Sequence, residues 1–84
     1  MKQCYLCGTT ENLEVHHLLC GIHQRAKAEK YGLTIDLCHR CHMKVQQSPA
    51  LMRWSRIKGQ KMFESKYGNR DDFIKIFGKN YIRE

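Results

Sequence analysis

The sequence predicts a small α+β domain, stapled by a bound metal ion and continued by a helical C-terminal extension. Three observations predict it. Two Cys-x-x-Cys pairs, Cys4/Cys7 and Cys38/Cys41, stand thirty residues apart. Two short stretches with strand-like alternation, residues 13–19 and 33–37, lie between them. From Ser48 onward the apolar spacing turns helical, and the basic residues gather there.

Size sets the problem. A chain of 84 residues buries only about 60% of its unfolded surface and is marginal without help. That excludes a multidomain enzyme, a Rossmann fold with a substrate domain, and a barrel. Apolar runs are too short to span a membrane. Met1-Lys2-Gln3-Cys4 carries no hydrophobic signal segment, which predicts a cytoplasmic protein.

Residues 1–10 read as an arm carrying the first knuckle, with Gly8-Thr9-Thr10 as its turn. Each Cys-x-x-Cys pair directs two thiolates at one point, and two pairs supply four sulfurs for a tetrahedral Zn²⁺. A reducing cytosol and five cysteines in all argue against a disulfide framework. A structural zinc contributes folding free energy on the order of 10 kcal/mol in small zinc peptides, which offsets the thin core. Cys20 reads as a small buried hydrophobe. The knuckle spacing also resembles rubredoxin. A basic chain with a long C-terminal half, and His42 where a glycine typically follows the second knuckle, speaks against that reading.

Residues 13–19 read as the first strand. It carries the pair His16-His17, and adjacent strand side chains point to opposite faces. One imidazole can therefore serve a metal while the other addresses a substrate. Residues 20–32 form the connection. Arg25 to Tyr31 favours helix, and Gly32 ends it in a left-handed conformation. Residues 33–37 form the second strand and 39–47 a helix, whose start places His42 directly after the last cysteine. His23 and His39 read as ordinary solvated histidines.

Ser48-Pro49 is an N-cap followed by proline at the first helical position. The helix runs to about Tyr67, with Leu51, Trp54, Ile57, Phe63 and Tyr67 as its apolar positions. Trp54 reads as core more than as a base-stacking platform. Gly59 costs about 1 kcal/mol relative to alanine and marks close packing or a kink. Asn69 caps a last helix, Arg70 to about Phe77, which Gly78 ends. With no Pro/Gly/Ser linker, residues 1–84 form one domain: a knuckle-bearing unit over 1–47 and a basic extension over 48–84. The first 42 residues hold five basic and four acidic groups; the remaining 42 hold ten and four. Lys44, Arg53, Arg56, Lys58, Lys61 and Lys66 thus suit a phosphate backbone.

The order Cys-x-x-Cys, Glu14-Val15-His16-His17-Leu18, then Leu37-Cys38-His39-Arg40-Cys41-His42 resembles the HNH endonucleases of the ββα-metal class. Further on, Gly59-Gln60-x-x-Phe63-Glu64, Tyr67-Gly68 and Phe73-Ile74-x-x-Phe77-Gly78-Lys79-Asn80-Tyr81 resemble small phage and prophage HNH proteins related to RecA-dependent recombination-enhancement nucleases. The resemblance implies that Cys4, Cys7, Cys38 and Cys41 hold a structural zinc. It implies that His16 and His42 bind a catalytic divalent metal such as Mg²⁺ or Mn²⁺, and that His17 is the general base. DNA is then the expected partner, contacted by Arg25, Lys44, Arg53, Arg56, Lys58 and Lys61. A recombinase filament or other phage protein is a further expected partner, and the chain acts as a monomer or a homodimer.

Two positions depart from the family pattern. Leu33 stands where an asparagine usually braces the loop of the histidine pair, leaving Asp36 or Thr34 to substitute. Gln46 stands one turn after His42, on the same helix face, where the family often has His or Asn; its carbonyl is a candidate third ligand. The alternative function is a non-catalytic zinc module that binds nucleic acid or protein.

Overall fold

Strand β1 (Leu13–His17) pairs antiparallel with β2 (Thr34–Cys38) in a two-stranded sheet, with Leu13 opposite Cys38 and His17 opposite Thr34. In this computed structural model, residues 2–19, 21 and 23–82 are described. Cys20 lies outside the described residues. Helices α1 (Gln24–Lys30), α2 (His39–Gln47), α3 (Pro49–Lys66) and α4 (Arg70–Phe77) complete an α+β fold.

The strands differ from expectation by a residue or two, for local reasons. The first ends at His17 instead of Leu19, because Leu18 and Leu19 both turn into the core and strand alternation forbids that. The second reaches Cys38, whose partner Leu13 opens β1. Helix α2 follows at once, and the Cys38 sulfur serves as its cap, accepting the Cys41 N–H at 3.5 Å.

The helix ends follow the chemistry of their sequences. Ser48 Oγ accepts the Leu51 N–H at the start of α3, with Pro49 beside it. Asn69 and Asp72 form a reciprocal capping box on α4. Gly78, at φ +81°, ends that helix in the left-handed region.

Both halves of the chain share one core. Leu18, Leu33 and Leu37 from the first half are buried in the same cluster as Phe63, Phe73 and Phe77 from the second. The aromatic end is dense: Phe73 stacks on Phe77 at 4.6 Å and Phe63 meets both edge-on. Helix α1 docks on the end of α4, where Gln24 Nε2 and Lys27 Nζ donate to the carbonyls of Phe77 and Ile76. Those carbonyls have no partner within their own helix. Gln60, fully buried, uses all its polar atoms. Its amide nitrogen donates to Glu64 and Asn80, and its carbonyl accepts the Tyr81 N–H. The extension is thus tied back on itself by a satisfied polar network. Among the described residues, no helix is long and apolar enough to cross a membrane.

Gly59 marks close packing. A Cβ there would lie 3.0 Å from Leu18 Cβ and 3.2 Å from Leu19 Cγ. Glycine lets α3 approach the end of β1, one turn after Ser55.

Candidate functional site

The four cysteines of the two knuckles converge. Their sulfurs all lie within 4.8 Å of one another, and Cys7 Sγ is 3.7 Å from Cys38 Sγ. A tetrahedron with Zn–S near 2.3 Å sets its sulfurs about 3.8 Å apart, so the cluster could hold a zinc ion. The two knuckles are built alike: Cys4 Sγ accepts the Cys7 N–H just as Cys38 Sγ accepts that of Cys41, each at 3.5 Å. Backbone bonds fix their relation, with Tyr5 N–H donating to Asp36 O and His39 N–H to Asn12 O.

Crowding pulls the acidities of these thiols apart. Burial pushes Cys4 up, but N–H groups of Cys38, Cys7 and Leu6 outweigh it and bring the thiol down to about 6. Burial and the neighbouring sulfurs of Cys38, Cys4 and Cys7 push Cys41 up to about 12. Four thiolates repel one another in this space, and a divalent ion relieves that repulsion.

Behind the knuckles a cleft of about 180 Å³ opens, lined by Val15, His16, His17, Arg25, His42, Gln46 and Met52. The sequence expectation brought the three histidines together, and the fold places all three on this cleft. Strand alternation separates the pair. His16 turns inward and is buried, its ring 5.1 Å from that of His42 in an edge-on arrangement. His17 turns toward α1, where its Nε2 lies 3.6 Å from Glu29 Oε2.

Each inner histidine has one ring nitrogen committed. Ser55 Oγ donates to Leu18 O at 2.9 Å, so toward His16 Nε2, at 2.8 Å, it acts as acceptor. His16 therefore carries its proton on Nε2 and keeps the Nδ1 lone pair. His42 donates from Nδ1 to Glu14 Oε1 at 2.7 Å, which leaves the lone pair on Nε2. That nitrogen faces Gln46 Nε2 at 3.3 Å. Partners of this kind fix imidazole tautomers at metal sites. Burial first, then the charges of His42, His17 and Arg25, brings His16 down to about 4. It is neutral near pH 7, as a ligand must be. Glu14 also accepts His39 Nδ1 at 3.0 Å, and its hydrogen bonds to His42 and His39 hold its carboxyl below the usual range.

Among the described residues, the four cysteines are the group of three or more His, Cys, Asp and Glu side chains within common metal reach. The cleft offers two imidazole lone pairs and Gln46, whose amide nitrogen, not its carbonyl, faces His42. His39 is largely exposed, and His23 is the exposed left-handed N-cap of α1.

The basic residues divide. Arg25 lines the cleft. Lys44 and Arg53 are exposed on α2 and α3, and Arg56 lies over the Tyr81 ring. Lys58 and Lys61 line a different groove.

Two residues were missed by sequence reasoning. Glu14 is two positions before His16 and so shares its strand face. Ser55 is four before Gly59, and two small residues at that spacing on one helix face signal a close approach. Ser55 is also the group that ties down the end of β1, through Leu18 O; the expectation had assigned this brace to Asp36 or Thr34.

Comparison with family models, with curated proteins and with solved structures returned no match.

Proposed function

We propose that this chain is a metal-dependent endonuclease of the HNH type that hydrolyses DNA phosphodiester bonds. The unit formed by β1, β2 and α2, with its cysteine cluster, is the ββα-metal element of that reading. One observation carries it: His16 and His42 meet edge-on on a cleft that His17 and Arg25 also line, and each has one ring nitrogen anchored by a partner that fixes its tautomer.

His16 Nδ1 and His42 Nε2 are the nitrogens that would hold a divalent ion such as Mg²⁺ or Mn²⁺. That ion, when bound, supplies positive charge for the leaving oxygen of the scissile phosphodiester. Gln46 must rotate its amide away from His42 Nε2, and the rotation presents its carbonyl oxygen instead. His17 accepts the proton of the attacking water, a task suited to an imidazole near neutral pH. Glu29 beside it stabilises the imidazolium that results. Arg25 meets the negative charge of the phosphate. The zinc-bound knuckles hold α2, and with it His42, against β1.

A plasmid-nicking assay with zinc-loaded protein tests this reading. Nicking should require added Mg²⁺ or Mn²⁺, and His17→Ala should abolish it while leaving the fold and DNA binding intact. Absence of cleavage of every DNA form under every divalent metal rejects it.

The second reading is a non-catalytic zinc module that binds nucleic acid or protein. The Gln46 amide on His42 Nε2 favours it, because that contact closes the lone pair a metal needs. A metal count separates the two. A single tight zinc per chain favours the module. A second, weaker site lost with His16→Ala or His42→Ala favours the nuclease.

A further inference from the structure

Helix α3 has two faces with different fates. Ser55, Gly59 and Phe63, spaced by four, are buried against the rest of the domain. Trp54, Ile57, Lys58, Lys61, Met62 and Ser65 follow the spacing i, i+3, i+4, i+7, i+8, i+11, which keeps them on one side of a helix. At 3.6 residues per turn that side is nearly opposite Met52, which lines the histidine cleft. These six residues line an open groove of about 420 Å³. It runs about 16 Å along the helix axis.

The groove has a particular chemistry. Trp54, Ile57 and Met62 give it an apolar lining, Lys58 and Lys61 add positive charge, and no carboxylate lines it. The first knuckle extends it. The Tyr5 ring, 52% exposed, lies 6.0 Å from Trp54, and Lys58 Nζ sits 4.6 Å from the Tyr5 ring centre. The exposed Tyr5 ring and the half-buried Trp54 ring therefore meet at one end of a stripe that continues through Lys58 and Lys61.

We infer that this stripe is a binding site for single-stranded nucleic acid, separate from the histidine cleft. Bases stack against the Tyr5–Trp54 pair, and the phosphates of the strand meet Lys58 and Lys61 further along α3. In a duplex the base faces are already stacked on one another, so only an unpaired strand offers them to side-chain rings. The lysines supply the salt-dependent part of the affinity. The site belongs to the surface of α3 and does not depend on what the histidine cleft does.

Trp54 is the only tryptophan of the chain, so its fluorescence reports the groove directly. Zinc-loaded protein is titrated with an oligothymidylate, with a duplex of equal length, and with polyglutamate. The oligothymidylate should quench Trp54 saturably. Lys58→Gln/Lys61→Gln should weaken its binding about tenfold. Lys30→Gln/Lys75→Gln, which removes the same charge from α1 and α4, should weaken it far less. Tyr5→Leu should reduce affinity with zinc content unchanged, and His17→Ala should leave it unaltered. Three results overturn the inference: binding without any change in Trp54 fluorescence, duplex or polyglutamate binding as tight as the single strand, or equal losses in the two double-lysine variants.

Discussion

Ser55 Oγ lies 2.8 Å from His16 Nε2 and 2.9 Å from Leu18 O. A residue of the C-terminal extension thereby sets the tautomer of a histidine in the N-terminal unit and pins the chain just beyond it. The division into a knuckle-bearing unit and a basic appendage dissolves at this point. Helix α3 presents lysines to solvent on one side and builds the inner wall of the histidine cleft on the other.

Ser55→Ala tests that link. It leaves a buried imidazole N–H and the Leu18 carbonyl without their partner, each unmet group costing roughly 1–3 kcal/mol. Chemical unfolding of the zinc-loaded protein should show a loss of about 2–6 kcal/mol, the two groups together. If the cleft binds a second metal, its half-saturating concentration should rise about 10- to 100-fold, the usual effect of removing an outer partner of a ligating histidine. Structural damage alone would lower stability and leave that metal dependence in place.

Gly59→Ala separates packing from propensity. In an exposed helix the change stabilises by about 1 kcal/mol. Here the added methyl meets Leu18 Cβ at 3.0 Å, an atom that cannot move without its backbone. Overpacking of this kind costs about 1–3 kcal/mol, so the unfolding midpoint in urea should fall. A rise would show that the approach of α3 to β1 is looser than described.

These contacts also mark how far the sequence could be read. Knuckles, caps and apolar spacing are local signals, so the order of elements, the α4 boundaries and the meeting of four cysteines were legible. The histidine pair was legible because strand alternation fixes its two directions. Ser55 was not, because its partner is 39 positions away and nothing near it in sequence names His16. The lysines read as one set because charge shows in a sequence and helix orientation does not. Once Gly59 is known to face Leu18, Lys58 and Lys61 must turn away from the cleft.

Zinc removal should unfold the protein rather than open it locally. The cysteine cluster joins the arm, β2 and α2, and the remaining core is small. Chelation should release one tight zinc per chain, measured by elemental analysis, together with loss of helical circular dichroism. Cys38→Ser should reproduce the loss without chelator, since Cys38 is at once a sulfur of the cluster and the cap of α2.

Acid should weaken the fold through His16. Its pKa lies near 4 in the folded chain, against an ordinary 6.5, with burial as the main cause. Between those values the unfolded chain binds the proton and the folded one does not. Stability is therefore full above about 6.5 and declines as the pH falls toward 4. Glu14 adds to the decline below its ordinary 4.5, because its lowered carboxyl stays ionised only in the folded chain. An NMR titration of the His16 ring in zinc-loaded protein reads this directly. A midpoint near 6.5 would contradict the burial account.

Glu14 gives the sharpest contrast between neighbouring histidines. Its carboxylate accepts Nδ1–H from His42 at 2.7 Å and from His39 at 3.0 Å, but only His42 lines the cleft. Glu14→Gln can still accept from one of them through its amide oxygen, but the negative charge is lost. His42 then loses the partner that holds its proton on Nδ1 and enriches its Nε2 lone pair. If the cleft binds a divalent metal, its affinity should fall about 10- to 100-fold, measured by Mn²⁺ titration of the zinc-loaded protein. His39→Ala, which removes only the exposed partner, should change that affinity little and leave Glu14 wholly to His42. Equal effects from the two variants would mean that Glu14 acts on the surface charge around the cleft and not through the His42 ring.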